Sequence, residues 1–252
     1  SLIIFSPTEF PARFNETNYE VNEQTQSISL DDALRTLELK LAQESGGASN
    51  QTQEFQKFWE PNIAQAAVHA VAVSGDKYIL AAAGGYLKDN EIHVYAYDYT
   101  YSSITHVADL GDGIIDNDIQ SLAIDDLDNN GYYEIIAGSS DGYIYVFEQT
   151  TTFITLTSVS FVHTWTSPKD YVRVWSVTTD ELDGDGNKEI IAGCWDGKVH
   201  VFEYVTRGGF PWTSGHWQQY EEVWNSSDLI QDKVYSVATG DTDNDDFREI
   251  IV

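Results

Sequence analysis

Residues 176–193 read SVTTDELDGDGNKEIIAG, which is an apolar strand pattern, a loop of alternating acids and a second apolar strand. The same order recurs in residues 121–138, SLAIDDLDNNGYYEIIAG, and in residues 236–252, SVATGDTDNDDFREIIV. A fourth, degenerate copy without the acidic loop begins at Ala70. Self-similarity at intervals of about 55 to 60 residues is typical of repeat architectures. The repeat therefore decides the fold class.

Each repeat predicts four short strands. The first strand precedes the acidic loop, and the second is the Glu-Ile-Ile run that follows it. Asp-Gly pairs at residues 141–142 and 196–197 predict hairpin turns into the third strand. The fourth strand ends on Trp165 or Trp224, with Leu110 at the corresponding place in the first unit. Four-stranded units at this interval favour an all-β fold, a β-propeller of four-stranded blades.

The repeats predict two parts of the chain. Residues 1–50 lie outside the repeat, and residues 51–252 form the propeller. The blades are residues 59–116, 117–171 and 172–231, with a partial blade at 232–252. Because the last unit stops in its second strand, we expect an incomplete ring with an unpaired strand edge beside Val252 and further blades beyond it. Residues 55–59 would then close the ring against the final blade. The alternative is a small closed ring in which residues 1–57 supply the missing strands.

The N-terminal part predicts one short helix. Ser29 has the character of an N-cap, and apolar residues recur at helical spacing from Leu30 to Leu41. We expect this amphipathic helix to pack on the propeller as an edge cover. A helix that binds a partner is the alternative.

Composition excludes several function classes. The chain has 13 Lys and Arg against 41 Asp and Glu, a formal net charge of −28, which repels phosphate backbones and anionic lipid. We therefore expect no nucleic-acid partner and no binding to a membrane surface. No apolar run approaches about 18 residues, so we also expect no membrane insertion. A single cysteine, Cys194, excludes a disulfide framework. No catalytic motif is evident, and His93 and His200, which are equivalent in the repeat, are interpreted as strand-surface residues. The prediction is a protein that is not an enzyme.

The acidic loops carry the predicted chemistry. Positions 1, 3, 5 and 9 of each loop offer side-chain oxygens, and position 7 offers its carbonyl oxygen. The predicted metal ligands are Asp126, Asp128, Asn130, Tyr132 and Glu134 in the first loop, Glu181, Asp183, Asp185, Asn187 and Glu189 in the second, and Asp241, Asp243, Asp245, Phe247 and Glu249 in the third. Oxygen ligands without His or Cys favour Ca²⁺ over Zn²⁺. An EF-hand is excluded because position 12, which should be glutamate, is Ala137, Ala192 or Val252.

With these loops, the Glu-Ile-Ile run and the Asp-Gly hairpin, residues 59–252 resemble the FG-GAP/VCBS-type repeats of calcium-loop β-propellers, such as the integrin α-subunit head. The sequence departs from that pattern in the first unit, which lacks the loop, at Glu181, where aspartate is usual, and at Asp246, where glycine is usual. The resemblance implies Ca²⁺ as a structural ion and an extracellular or cell-surface location. It also implies a recognition or adhesion module with a protein or glycan ligand on the propeller surface. The alternatives are the propeller part of a polysaccharide-degrading enzyme and a structural cell-surface scaffold.

The tryptophans divide into two groups. Trp59, Trp165 and Trp224 keep the phase of the repeat, which predicts packing between blades. Trp195, Trp212 and Trp217 do not keep it and lie on or near a long insertion. A ligand surface and a packed loop are both open interpretations of the second group.

Overall fold

The computed structural model describes residues 4–5, 68–73, 79–84, 90–98, 103–150, 159–168, 171–205, 219–227, 232–245 and 247–252. All regular structure within these ranges is β-strand. The strands are β1 Ile4–Phe5, β2 Val68–Val73, β3 Ile79–Gly84, β4 Ile92–Asp98, β5 Ser103–Leu110, β6 Ile119–Asp125, β7 Glu134–Ser139, β8 Ile144–Gln149, β9 Phe161–Thr166, β10 Val174–Asp180, β11 Glu189–Cys194, β12 Val199–Val205, β13 Gln219–Asn225, β14 Ala238–Gly240 and β15 Glu249–Ile251.

Three antiparallel sheets have four strands each, joined in chain order. The first sheet is β2–β5, the second is β6–β9 and the third is β10–β13. Gly142 and Gly197 lie in the turns between the second and third strands with φ of 94° and 82°, which glycine adopts without strain. The predicted all-β class, the four-stranded unit and the Asp-Gly hairpins are thereby confirmed.

The core lies between adjacent sheets. Strands β7 and β11 are buried along their whole length, as their Glu-Ile-Ile-Ala-Gly sequences predict for strands covered on both faces. The first strands contact one another in the order β2, β6, β10, β14. Trp165 packs edge-on against Phe202 and Tyr220 of the next sheet, with centroids 5.5 and 5.3 Å away. This confirms the prediction that Trp165 packs between repeats.

Two glycines permit the close approach of neighbouring sheets. A Cβ atom on Gly138 would lie 2.7 Å from Cγ1 of Val174, and one on Gly193 would lie 2.6 Å from Cγ1 of Val234. Both glycines end the Glu-Ile-Ile-Ala-Gly run, so the repeat places the same contact at two successive interfaces. Any side chain here would push the sheets apart.

The fourth sheet corrects two expectations about the C-terminal end. Ile4 and Phe5 pair antiparallel with Ile251 and Ile250, and the order of this sheet is β1, β15, β14. The expected unpaired edge of the last strand is therefore wrong at these residues. The sequence predicts the first strand of this unit at residues 234–238, but the strand spans Ala238–Gly240, because its pairing with β15 begins only at Ala238.

Several predictions lie outside the described residues. They concern the helix at 30–41, the closing segment at 55–59, Asp246, Trp212 and Trp217. Among the residues that are described, no helix is long and apolar enough to cross a membrane.

Candidate metal centre

Each acidic loop connects the first strand of a sheet to the second. Gly131 and Gly186, at position 6, have φ of 86° and 94°, a left-handed backbone that glycine adopts without strain. Position 4 is also left-handed, a feature that the sequence reasoning missed: φ is 55° at Asn129, 83° at Gly184 and 64° at Asn244. Only asparagine and glycine occupy position 4, and these residue types tolerate such φ values best, so the signal was present in the sequence.

Side chains of each loop fold back onto its own backbone. Asp126, at position 1, accepts hydrogen bonds from the N–H groups of Asn130 and Gly131 at 3.0 and 2.9 Å. The side chain at position 5 accepts the N–H of position 7 in all three loops, at 2.7 Å from Tyr132, 2.7 Å from Asn187 and 3.0 Å from Phe247. These bonds hold the acids in a tight turn, and the role of the position 7 carbonyl as a ligand stays a prediction.

The loops bring their acids together. In the first loop Asp126, Asp128 and Glu134 offer oxygens that all lie within 4.8 Å of one another. In the other two loops the three acids at positions 1, 3 and 5 do so, namely Glu181, Asp183 and Asp185, and Asp241, Asp243 and Asp245. Nine of the predicted ligands thus lie in three compact clusters, one in each loop. Carboxylates at such separations repel one another unless a proton or a cation lies between them.

The closing glutamate has the same unusual environment in all three loops. Oε2 of Glu134, Glu189 and Glu249 accepts the backbone N–H of position 2 at 2.7, 2.7 and 2.6 Å. Oε1 of each is buried and has no hydrogen-bond partner among the described residues. The residues themselves are 0, 3 and 2% exposed. A buried carboxylate oxygen without a partner is costly, and its recurrence at one position of three loops fits a site for a cation.

Electrostatics in the first two loops support the same conclusion. Burial raises the pKa of Glu134 to about 9, and the charges of Asp128, Glu148 and Asp126 add to it, although the Leu127 N–H acts in the opposite direction. Burial likewise raises the pKa of Glu189 to about 8, with Asp183, Glu181 and Glu203 contributing. The ionised form is therefore unfavourable without a cation, and a divalent ion would replace the proton.

These features fit a hard divalent cation. Each loop presents carboxylate oxygens, an orphaned buried oxygen and a backbone turn of the kind that Ca²⁺ loops use. A softer metal would require His or Cys ligands, and the described residues of the loops include neither. The residues at positions 1, 3, 5 and 9 would hold the ion, and its role would be structural, because it would join the ends of two strands.

Adjacent loops are also tied to one another. Lys188, at position 8 of the second loop, forms an ion pair with Asp125, which precedes the first loop. Its backbone N–H donates to the carbonyl of Leu127 at 2.8 Å. Arg248 repeats the arrangement more loosely, with its Nε 3.8 Å from Oδ1 of Asp180. The sequence reasoning missed these pairs, although a base beside the closing glutamate and an acid before the loop recur at fixed places.

The opposite end of the first strands carries aromatic rings and cations. The rings of Trp175 and Trp195 are stacked, with centroids 5.9 Å apart and an interplanar angle of 23°. Arg173 lies 4.7 Å from the Trp175 centroid, and Lys233 lies 3.6 Å from that of Trp195. Tyr235 packs on Trp175 at 5.4 Å and is 59% exposed. We call these five residues the aromatic face.

The aromatic face extends what the sequence indicated. Trp195 was a candidate ligand residue, and it is 37% exposed. Trp175 and Tyr235 were missed, although both stand directly before the serine that opens a repeat unit. The indole N–H of Trp175 is buried without a hydrogen-bond partner among the described residues.

His200 corrects the interpretation of the histidines as strand-surface residues. It is fully buried, and its two ring nitrogens lie 2.9 Å from Oε1 of Glu222 and 3.0 Å from Oδ2 of Asp196. Burial by itself lowers the pKa of His200, but hydrogen bonds and charges from Asp196 and Glu222 outweigh it, so the pKa is raised. The imidazole is therefore protonated more readily than a free one, and we call His200, Asp196 and Glu222 the His200 clamp.

Comparisons with known proteins extend to the fold alone. No protein-family profile and no curated protein matches the chain. Among solved structures it is similar to Sqt1 of Saccharomyces cerevisiae, with 12% identity and a TM-score of 0.52 over 74% of this chain and 42% of Sqt1. A computationally designed protein, Ika4, gives 14% identity and a TM-score of 0.46 over 75% of this chain and 89% of its own. Sqt1 of Chaetomium thermophilum gives 17% identity and a TM-score of 0.46 over 69% and 39%. The chain thus spans less than half the length of yeast Sqt1, and the likeness to that structure is one of fold.

Proposed function

We propose that this protein is a calcium-stabilised β-propeller module of the FG-GAP/VCBS type that acts in extracellular recognition rather than catalysis. The observation that carries the proposal is the buried Oε1 atom of Glu134, Glu189 and Glu249, which has no partner in the part of the chain that the structure describes. Each lies in a loop whose other acids converge within a few ångströms. A calcium ion in each loop would satisfy the oxygen and remove the repulsion among the acids.

The propeller arrangement is supported by the order of the sheets. The first strands β2, β6, β10 and β14 are neighbours in sequence and in space, as the innermost strands of successive blades are. The fold likeness to yeast Sqt1 over 74% of this chain agrees with a repeated-sheet architecture. Pairing of β1 with β15 adds a strand from the N-terminal end of the chain to the last sheet, as the closing of a ring requires.

The ligand surface in this proposal is the aromatic face. Its exposed rings offer stacking area, and Arg173 and Lys233 place two of the chain's 13 basic side chains at one spot on a protein of net charge −28. Charge complementarity there favours an acidic ligand. We therefore assign this face to a protein segment that presents carboxylates beside an aromatic ring.

Calorimetric titration of the full chain with CaCl₂ tests the calcium site. We expect dissociation constants on the order of 0.1–1 mM, the range of extracellular modules. Glu189→Gln, which keeps the shape of the buried side chain, should abolish binding in the second loop. Glu91→Gln, which removes a carboxylate just before β4, should leave the titration unchanged. The assignment would be refuted if the wild type gave no heat of calcium binding, or if Glu189→Gln gave the same heat as the wild type.

A separate experiment tests the recognition surface. A synthetic peptide of alternating glutamate and tyrosine should bind the calcium-loaded protein, and Arg173→Gln with Lys233→Gln should weaken it at least about tenfold, the effect of 1.4 kcal/mol. Equal binding by the double variant would refute this surface. Preferential binding of oligogalacturonate over the peptide would also refute it, in favour of an acidic glycan.

A further inference from the structure

The first sheet, in which the repeat has no acidic loop, contains a cluster of a different chemical kind. Nδ1 of His93 and Nε2 of His106 both lie 2.6 Å from Oδ1 of Asp109. These three atoms lie within 4.8 Å of one another. Two imidazoles and one carboxylate facing one point form a ligand set for a borderline metal rather than for Ca²⁺.

A β-bulge places the three side chains on one face. His93 pairs with Asp109 and Tyr95 pairs with His106, and the register shifts between Val94 and Tyr95. Residues three apart on a regular strand point to opposite faces, so His106 and Asp109 would normally diverge. The extra residue of the bulge restores them to the face of His93.

The same bulge recurs in the next two sheets, which makes them internal comparisons. The corresponding residues are Tyr145, His163 and Thr166 in the second sheet and His200, Glu222 and Asn225 in the third. The second set offers one imidazole and no carboxylate. In the third, both nitrogens of the buried His200 already face acids. Among these three sets, only that of the first sheet offers two imidazoles and a carboxylate.

Access and geometry suit a bound ion. The side chains of His106 and Asp109 are 45 and 43% exposed, and that of His93 is 13% exposed, so the cluster opens to solvent. The ring of Tyr95 packs edge-on against His106 with centroids 5.2 Å apart and orients it. Ligand atoms of a tetrahedral zinc site lie about 3.3 Å apart, so small side-chain rotations from 2.6 Å would admit the ion.

We propose that His93, His106 and Asp109 bind a divalent transition-metal ion of the zinc class. The imidazoles bind in their neutral form through Nδ1 of His93 and Nε2 of His106, and Asp109 supplies a charged oxygen. Three protein ligands leave one position of a tetrahedral ion for water or for a ligand atom. The site is separate from the acidic loops and does not depend on the calcium proposal.

Titration of the full chain with Zn²⁺ in excess Ca²⁺ tests the site. We expect one Zn²⁺ per chain, and Co²⁺ should give the visible absorption of an ion with nitrogen ligands. His106→Gln and Asp109→Asn should each weaken binding at least about tenfold, since even outer partners of metal ligands have effects of that size. His163→Gln, at the matching position of the second sheet, should have no effect.

Two further measurements keep the test decisive. Thermal unfolding of the apo variants should match that of the wild type, because His106 and Asp109 are exposed. The variant Glu134→Gln with Glu189→Gln should bind Zn²⁺ normally, which separates this site from the acidic loops. Absence of Zn²⁺ binding, equal binding by His106→Gln, or displacement of Zn²⁺ by a tenfold increase in Ca²⁺ would overturn the proposal.

Discussion

The strand β10 carries opposite charges at its two ends. At its C-terminal end the second acidic loop brings together the carboxylates of Glu181, Asp183 and Asp185, and it ends on the buried Glu189. At its N-terminal end Arg173 lies over the rings of Trp175 and Trp195. The fourth unit repeats this polarity with Asp241 and its neighbours at one end and Lys233 and Tyr235 at the other. The repeat therefore places acidic side chains at one end of its first strands and basic and aromatic side chains at the other end.

The two ends differ in what completes them. The acidic end has buried oxygens that lack a partner within the described ranges, so we expect its stability to depend on an ion. The aromatic face is already packed, since its cations contact its rings. We infer that the acidic end has a structural role once it holds an ion. The aromatic end needs no ion, and we infer that its exposed side chains, Trp195 and Tyr235, serve recognition.

The largest expected effect is the removal of calcium. At ten times the dissociation constant each site contributes about 1.4 kcal/mol, so three sites contribute about 4 kcal/mol. The melting temperature should then fall by roughly 10 °C in excess chelator, as scanning calorimetry would show. Trp175→Ala, at the other end, should keep this difference. Superimposed melting curves with calcium and with chelator would mean that the loops are ordinary turns.

A second effect tests the packing of the third sheet against the fourth unit, at the contact between Gly193 and Val234. Gly193→Ala would place a Cβ 2.6 Å from Val234, and we expect a loss of about 1–3 kcal/mol in the free energy of unfolding. Gly240→Ala is the matched control, because nothing lies within 4 Å of its Cβ. Denaturant unfolding in saturating calcium measures both. Equal stability of the two variants would show that the third and fourth sheets do not approach as closely as described.

The sequence predicted the acidic end better than the aromatic end. The ligands of the loops are neighbours in the chain, so alternation and spacing alone place Asp126, Asp128 and Glu134 together. The aromatic face instead joins Trp175 and Trp195, which meet through the pairing of β10 with β11, to Tyr235 in the segment before β14. Periodicity reports a local turn, but it does not report which side chains meet across strands.

The same limit explains the errors over the histidines and the last strand. His93 and His200 are equivalent in sequence, but their environments differ because Asp109 and His106 face one, and Glu222 and Asp196 face the other. These partners come from other strands or a turn. The pairing of Ile4–Phe5 with β15 joins the two ends of the chain, and no local pattern indicates it.

A third effect concerns the pH dependence that arises from the contacts of His200 with Asp196 and Glu222, the His200 clamp. Because its pKa is raised in the folded state, the clamp stabilises the protein below the ordinary value of 6.5, and this contribution is lost as pH rises through the folded pKa. His200→Gln should remove this dependence, of at most about 1.4 kcal/mol per pH unit. Unfolding in denaturant from about pH 5.5 to 9, with calcium constant, measures it. If the unfolding free energy of His200→Gln changed with pH as steeply as that of the wild type, the clamp would be contradicted. Glu222→Gln is a milder second test, because the Glu222 side chain is 25% exposed.

The smallest effect tests the ties between loops. Lys188→Gln should lower the free energy of unfolding by about 0.5 kcal/mol, since its pair with Asp125 is partly exposed. Arg248→Gln should have less effect, because the Arg248 side chain is 49% exposed and its contact is 3.8 Å long. Both losses should shrink at high salt. If Arg248→Gln were the more damaging change, the described order of the two pairs would be wrong.

A crystal structure of the calcium-loaded protein tests the central claim most directly. We expect an ion in each loop, with Oε1 of Glu134, Glu189 and Glu249 at about 2.3–2.6 Å from it and the acids at positions 1, 3 and 5 completing the shell. Calcium anomalous scattering would identify the ion. Loops that hold only water at hydrogen-bonding distances, with Oε1 of each glutamate satisfied by that water, would contradict the calcium assignment.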